Sequence, residues 1–160
     1  MIQIKLEFLR DGIIFNAEIP MTFYNISHAL GNNALKLSVT ISGTVYKLTV
    51  VIPDGEYTKT SLITELNTLF TLQNVGGYHL SCVLDGNYTE ISYNIGLNSA
   101  LPARTITVDF AVDDNGNFDK FLFKNKLGWI LGFRNITYEV TSTSSILSEA
   151  EVQVNRPKYL

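Results

Sequence analysis

The feature that most constrains the fold is the one-by-one alternation of apolar and polar residues along several short segments. Such a period of two is typical of strands with one buried face. Turn dipeptides separate these segments, and Gly12, Gly43 and Gly86 supply the small residues that tight turns need. The pattern predicts strands at 2–9, 13–19, 35–41 and 45–52, a second hairpin within 78–96, and a strand at 104–113.

One segment, VVIPDGEYTKTSLITELNTLF at residues 50–70, changes from strand to helix. Pro53 cannot donate to a sheet, so the strand should stop there, and Gly55 permits a left-handed turn. Thr58 or Thr60 can cap the helix that follows. The helix should bury one stripe of residues, namely Leu62, Ile63, Leu66, Leu69 and Phe70. We expect it to end near Gly76-Gly77.

A second, short helix is predicted from the spacing of apolar residues in FDKFLFKNKLGWILGF, residues 118–133, with a break at Gly128 or Gly132. Residues 134–154 are rich in Ser and Thr and are expected to be extended chain or loop. The chain of 160 residues is then one β-rich domain, 1–160, mostly β with one or two helices. We expect a β-sandwich related to a single jelly roll. The helix at 60–70 is larger than that fold requires, so a distinct α+β domain is the alternative.

Charge and hydropathy exclude several classes of function. Charged residues make up 17 % of the chain and the net charge is −3, which gives no basic field for nucleic acid. No apolar run approaches the ~20 residues of a membrane span, and the N-terminal segment lacks a signal-peptide core. The single Cys82 excludes an internal disulfide. We therefore expect a protein made in cytoplasm, neither secreted nor inserted into a membrane.

Residues for catalysis occur without the partners that catalysis requires. His28 and His79 are the available bases, and no Gly-x-Ser-x-Gly elbow accompanies either. His79 and Cys82 are three apart in a predicted strand, so they should point to opposite faces. Carboxylates at Asp54, Glu56, Asp85 and Glu90 have no spacing that selects a glycosidase pair. The sequence predicts that the chain is not an enzyme.

The sequence also lacks the ligand sets of the common metal sites. One cysteine and two histidines cannot complete a structural zinc site. The acidic stretch DDNGNFD, residues 113–119, has Phe118 and Lys124 where an EF-hand loop requires Gly and Glu. An Asn-Gly turn explains these residues, and a calcium site of another type is the remaining alternative. No cofactor and no metal are predicted.

Two motifs together resemble minor structural proteins of large double-stranded DNA viruses, virophages and related elements. The segment at 50–70 resembles their I-P-x-G-x-Y-x-x-x-x-L-x-x-x-L-N pattern. KLGWILGFRNITY, followed by SEAEVQVNRPKYL, resembles their L-G-x-x-L-G-F…Y segment and the Pro-x-Tyr-Leu step after it. The residues that match are Pro53, Gly55, Tyr57, Leu62, Leu66 and Asn67 in the first motif, and Leu131, Gly132, Phe133, Tyr138, Pro157, Tyr159 and Leu160 in the second.

The resemblance implies a non-enzymatic minor capsid, penton-like or spike-associated component of the virion. Its partners would be further copies of itself and other capsid proteins. In such proteins the chain continues past the Tyr-Leu step, so residues 1–160 would be an excised N-terminal domain or a short relative. A different class of function, a module that recognises a host receptor or glycan, would require exposed aromatic side chains, with Trp129 and Tyr138 as candidates.

Overall fold

The computed structural model describes residues 2–10, 12–21, 24–119 and 122–154. Pro157, Tyr159 and Leu160 lie outside these residues. The elements are β1 Ile2–Arg10, β2 Ile13–Met21, β3 Ala34–Ile41, β4 Thr44–Val51, α1 Lys59–Leu72, β5 Leu80–Asp85, β6 Tyr88–Tyr93, β7 Ile106–Asp109, a 3-10 turn Phe123–Asn125, α2 Leu127–Ile130, β8 Thr137–Val140 and β9 Ile146–Leu147.

The strands form antiparallel sheets, in the orders β4-β3-β7-β8, β5-β6-β9 and β1-β2. The predicted hairpins are confirmed. Between β3 and β4 the two turn residues, Ser42 and Gly43, have φ values of 50° and 83°. Positive φ at both positions is the geometry of a type I′ turn, which matches the twist of the flanking strands. The mostly β architecture is confirmed and is compatible with a β-sandwich, whereas the jelly-roll relationship stays a prediction.

One apolar core joins the four-stranded sheet, the three-stranded sheet and α1. Alternate residues of β3 and β7 are buried, and the register places Leu37 opposite Val108 and Val39 opposite Ile106. The predicted stripe of α1 is confirmed, since Leu62, Leu66 and Phe70 are all buried in this core. Burying a side chain of this size stabilises the fold by about 1.5–3 kcal/mol. The opposite face of β3 and β7 carries polar residues.

The ends of several elements differ from the prediction. Helix α1 ends at Leu72 rather than near Gly76, because Gln73 is already extended, with φ −114° and ψ 147°. The strand predicted at 104–113 is only Ile106–Asp109, because the Asp109 side chain accepts a hydrogen bond from the Ala111 backbone and turns the chain.

The second helix lies within the predicted segment 118–133 but is only four residues long. Helix α2 is Leu127–Ile130, so Gly128 lies inside it, and Gly132, with φ 96°, follows its end. The segment expected to be extended chain or loop is extended in two places, the short strands β8 and β9. These strands have four and two residues, too few to show an alternating pattern in the sequence. They are recognised as strands because β8 pairs with β7 and β9 pairs with β6.

Candidate functional site

The first motif forms what we call the first corner, residues 53–67 together with Asn25. Thr58 is the cap of α1, and it forms a capping box with Ser61. The Ser61 backbone donates to the Thr58 hydroxyl at 3.1 Å, and the Thr58 backbone donates to the Ser61 hydroxyl at 2.9 Å. These bonds satisfy two backbone N–H groups at the start of the helix. Of the two residues predicted to cap α1, Thr58 and Thr60, it is Thr58 that does so.

The first corner is attached to the rest of the domain by Asn25. Its side chain donates to the Tyr57 carbonyl at 2.7 Å and accepts from the Tyr57 backbone N–H at 2.8 Å. Ile26 and Gly55 form a backbone bridge beside this pair, and the Tyr57 hydroxyl donates to the Pro53 carbonyl at 2.9 Å. Burial raises the pKa of Tyr57. Asn25 was not among the predicted residues, because its partner lies 32 positions away in sequence.

The remaining residues of the first motif hold α1 against the core. Leu62 and Leu66 are fully buried. The Asn67 side-chain oxygen accepts a hydrogen bond from the Cys82 backbone at 3.0 Å, which ties α1 to β5. Every matched residue of the first motif thus has a packing or backbone-bonding role in this structure.

The second motif forms the second corner, residues 128–138 together with Phe110 and Glu149. Leu131 and Phe133 are fully buried. The Phe133 ring stacks on Phe110 with centroids 4.8 Å apart and meets the edge of Tyr138 at 5.0 Å. A Cβ at Gly132 would overlap the Ala150 carbonyl oxygen, so only glycine fits there.

A hydrogen-bond network around Tyr138 closes the second corner. The Tyr138 hydroxyl donates to Glu149 at 2.6 Å and accepts from the backbone of Arg134 and Asn135. Burial raises the pKa of Glu149, but the hydrogen bonds from Tyr138, Arg134 and Asn135 outweigh it, so the pKa lies below its ordinary value. Tyr138 is therefore a structural residue in this arrangement.

Trp129 is the other aromatic candidate for ligand stacking, and its ring is already in contact with two side chains. The Arg134 guanidinium lies over the Trp129 ring at 4.0 Å from its centroid, and Phe123 meets the ring edge-on at 5.9 Å. A cation over an indole face is a stabilising contact in its own right. A ligand that stacked on that face would have to displace Arg134.

In the part of the chain that the structure describes, His28, His79 and Cys82 each have different neighbours. His79 Nδ1 lies 3.1 Å from the Phe70 carbonyl oxygen, whereas Cys82 is buried in the core. Burial raises the pKa of the Cys82 thiol to about 12, which keeps it protonated and unreactive at neutral pH. His28 is an exposed residue paired with Asp114.

The acidic stretch at 113–119 forms a turn. Asp113 accepts hydrogen bonds from the backbones of Asn115 and Asn117, at 2.9 and 2.8 Å. The backbone hydrogen bond from Asn117 is the main reason that the pKa of Asp113 is lowered. In the part of the chain that the structure describes, no group of three or more His, Cys, Asp or Glu residues could hold a metal ion.

The outer face of the four-stranded sheet carries a polar groove of about 510 Å³. Most of the described residues that line it carry hydroxyl groups, and among them are one cation, Arg104, and one carboxylate, Glu139. The register places Ser38, Thr107 and Glu139 side by side across β3, β7 and β8. The sequence prediction missed this groove, because only the strand register brings these residues together.

Comparison with protein-family models, with curated proteins and with solved structures finds no match. Within the described ranges, neither α1 nor α2 has the length and apolar character that a membrane crossing needs.

Proposed function

We propose that the chain is a non-enzymatic structural protein of a virion, a minor capsid, penton-like or spike-associated component that acts by assembling with copies of itself and with other capsid proteins. The resemblance of its two motifs to such proteins suggests this class. The observation that carries the proposal is the open edge of β4 in the four-stranded sheet. Open strand edges are sites at which one chain adds to another.

Strand β4 forms one edge of the four-stranded sheet and pairs only with β3 among the described strands. Because Ile41 and Thr44 close a two-residue turn, the backbone groups of Thr44, Tyr46 and Leu48 point towards β3. The backbone groups of Val45 and Lys47 then point outward. Natural proteins usually shorten, cover or charge such an edge. Here it is eight residues long, and Lys47 is its only charged residue.

The side chains along this edge suit a second copy of the same strand. Val45 is 54 % exposed and Tyr46 is 44 % exposed, although both are apolar. Two β4 strands that pair antiparallel about a two-fold axis at Tyr46 would place Tyr46 beside its counterpart and Val45 beside Lys47. This register keeps the apolar face of one sheet continuous with that of the other.

The N-terminal hairpin supports the same proposal. β1 and β2 pair with each other over nine residues, and neither joins another sheet among the described residues. Their register sets apolar residues opposite one another, as at Ile4 and Ile19 and at Phe8 and Phe15. An isolated two-stranded ribbon is only marginally stable in water. Contacts with a further chain would supply the stabilisation that such a ribbon needs.

The virion assignment is tested by quantitative mass spectrometry of purified particles, with the tryptic peptide LGWILGFR, residues 127–134, as the reporter. The proposal predicts a fixed copy number relative to the major capsid protein. Absence from particles, together with abundance in infected cells, would contradict it.

A further inference from the structure

We infer that the polar groove on the outer face of β3, β7 and β8 is a binding site for a neutral saccharide. This inference goes beyond the proposed function and is independent of it, because the groove does not use the free edge of β4. Side chains of all three strands and of the segment before β7 line the groove.

The groove presents hydrogen-bonding groups in two rows. Ser38, Thr107 and Glu139 form one row, since they are register partners across the three strands. The second row is formed by Thr40, Thr105 and Thr141. Each of these residues is the neighbour in sequence of Val39, Ile106 or Val140, which are register partners. The second row therefore lies on the same outer face as the first, two residues further along the strands. Each hydroxyl can both donate and accept, so the surface matches a ligand with many hydroxyl groups.

Arg104 shows that the groove has unused hydrogen-bonding capacity. Its Nε is buried and has no hydrogen-bond partner among the described residues. A buried donor without a partner is costly, and a ligand oxygen would relieve that cost once the Arg104 side chain turned its Nε towards the groove. Among the described residues, neither Arg104 nor Glu139 forms an ion pair, so both charges are available to a ligand.

The combination of charges selects the class of ligand. Arg104 and Glu139 together leave the lining without net charge, so the groove favours neither an anion nor a cation over a neutral ligand. An apolar molecule would leave the five hydroxyls without partners when it displaced their water. A neutral sugar offers hydroxyls that donate to the Glu139 carboxylate and oxygens that accept from Arg104. The groove volume lies within the ~300–1,000 Å³ of small-molecule sites.

The affinity of one groove should be low. None of the described lining residues is aromatic, so stacking on them contributes nothing, and the groove is open to water. We expect a Kd on the order of 1 mM for a single groove. In an oligomer several grooves would act together, and the resulting avidity would raise the effective affinity well above that of one site.

The test is a titration of the ¹⁵N-labelled chain, followed by amide chemical shifts. The probes are the methyl glycosides of glucose, galactose, mannose and N-acetylglucosamine, lactose, and the anionic sialyllactose, each to about 50 mM. We expect at least one neutral sugar to shift the amides of Thr40, Thr105, Thr107 and Thr141 in a saturable manner. No saturable shift with any probe would overturn the inference. Shifts confined to the surroundings of Trp129 would overturn it as well.

Substitutions separate the groove from a general effect on the sheet. Glu139→Gln removes the charge of an exposed residue and should weaken binding by about tenfold, and Thr107→Val should weaken it several-fold. Thr137→Val is the matched control, because Thr137 is exposed on the same strand and does not line the groove. Equal affinity in all three variants, or tighter binding of sialyllactose than of any neutral sugar, would contradict a neutral-saccharide site.

Discussion

The first corner is held by polar side chains that bond to backbone groups, whereas the second corner is held by stacked rings and by a glycine that admits a carbonyl. In the first, Asn25 bonds both backbone groups of Tyr57. In the second, Phe133 stacks on Phe110, and Gly132 leaves room for Ala150. Lost hydrogen bonds cost about 1–3 kcal/mol each, and lost aromatic packing costs more. The second corner should therefore tolerate substitution less well.

The largest effect is expected for Phe133→Ala. Phe133 is fully buried and contacts two rings, so its removal leaves a cavity that the stacked neighbours cannot fill. We expect a loss of about 3–5 kcal/mol in the free energy of unfolding, measured by urea denaturation. Leu122→Ala is the control, because Leu122 is 73 % exposed and should change stability little. A loss below about 1 kcal/mol at Phe133 would remove the basis for the comparison of the two corners.

The second largest effect is expected for Gly132→Ala. It should reduce the free energy of unfolding by about 3 kcal/mol, because an alanine there has a strained backbone and overlaps Ala150. Gly77→Ala separates the two causes. Gly77 has a similar φ of 90°, but no atom of the described residues lies within 4 Å of an added Cβ. This control should lose only about 1–2 kcal/mol, the cost of strain alone. Equal losses at both glycines would show that the close approach of Ala150 is unimportant.

Asn25→Ala should cost less than either change in the second corner. The substitution leaves the N–H and the carbonyl of Tyr57 without partners, which should reduce the free energy of unfolding by about 1–3 kcal/mol. Asn74→Ala serves as the control, since exposed Asn74 accepts one bond from the backbone of Gly77. If Asn25→Ala destabilised the fold more than Phe133→Ala, the order of the two corners would be reversed.

The smallest expected effect is a dependence of the free energy of unfolding on pH, caused by Glu149 in the second corner. The folded pKa of Glu149 lies below its unfolded value, so its carboxylate stabilises the fold above the unfolded pKa of about 4.3. That contribution is lost as the pH falls from this value through the lower folded pKa. Glu149→Gln and Tyr138→Phe should both flatten the dependence of the free energy of unfolding on pH in this range, measured by urea denaturation at each pH. Slopes identical to that of the unchanged chain would argue against the Tyr138–Glu149 contact.

The local part of the first corner could be predicted from the sequence. The strand stop at Pro53, the cap at Thr58 and the apolar stripe of α1 all depend on residues within a few positions of one another. Asn25 could not be predicted, because nothing near it in the sequence indicates a bond to Tyr57. In the second corner, the need for glycine at Gly132 depends on Ala150, which only the tertiary fold brings close.

The same reasoning explains what was missed elsewhere. Strands β8 and β9 are too short to show alternation, and they exist because β7 and β6 offer partners. The groove of Arg104 and Glu139 requires the register of three strands that are distant in sequence. Sequence patterns thus identified the hairpins and α1, whereas surfaces formed across strands emerged only from the fold.

The open edge of β4 is the central claim, and amide hydrogen exchange at that edge tests it most directly. The exchange rates of Val45 and Lys47 are measured by NMR at increasing concentrations of the full chain, with Tyr46, whose N–H already bonds β3, as the internal reference. Pairing with a second copy predicts that Val45 and Lys47 become protected as the concentration rises, and that Val45→Lys abolishes this protection. Rapid exchange at both residues at every concentration would contradict pairing through β4.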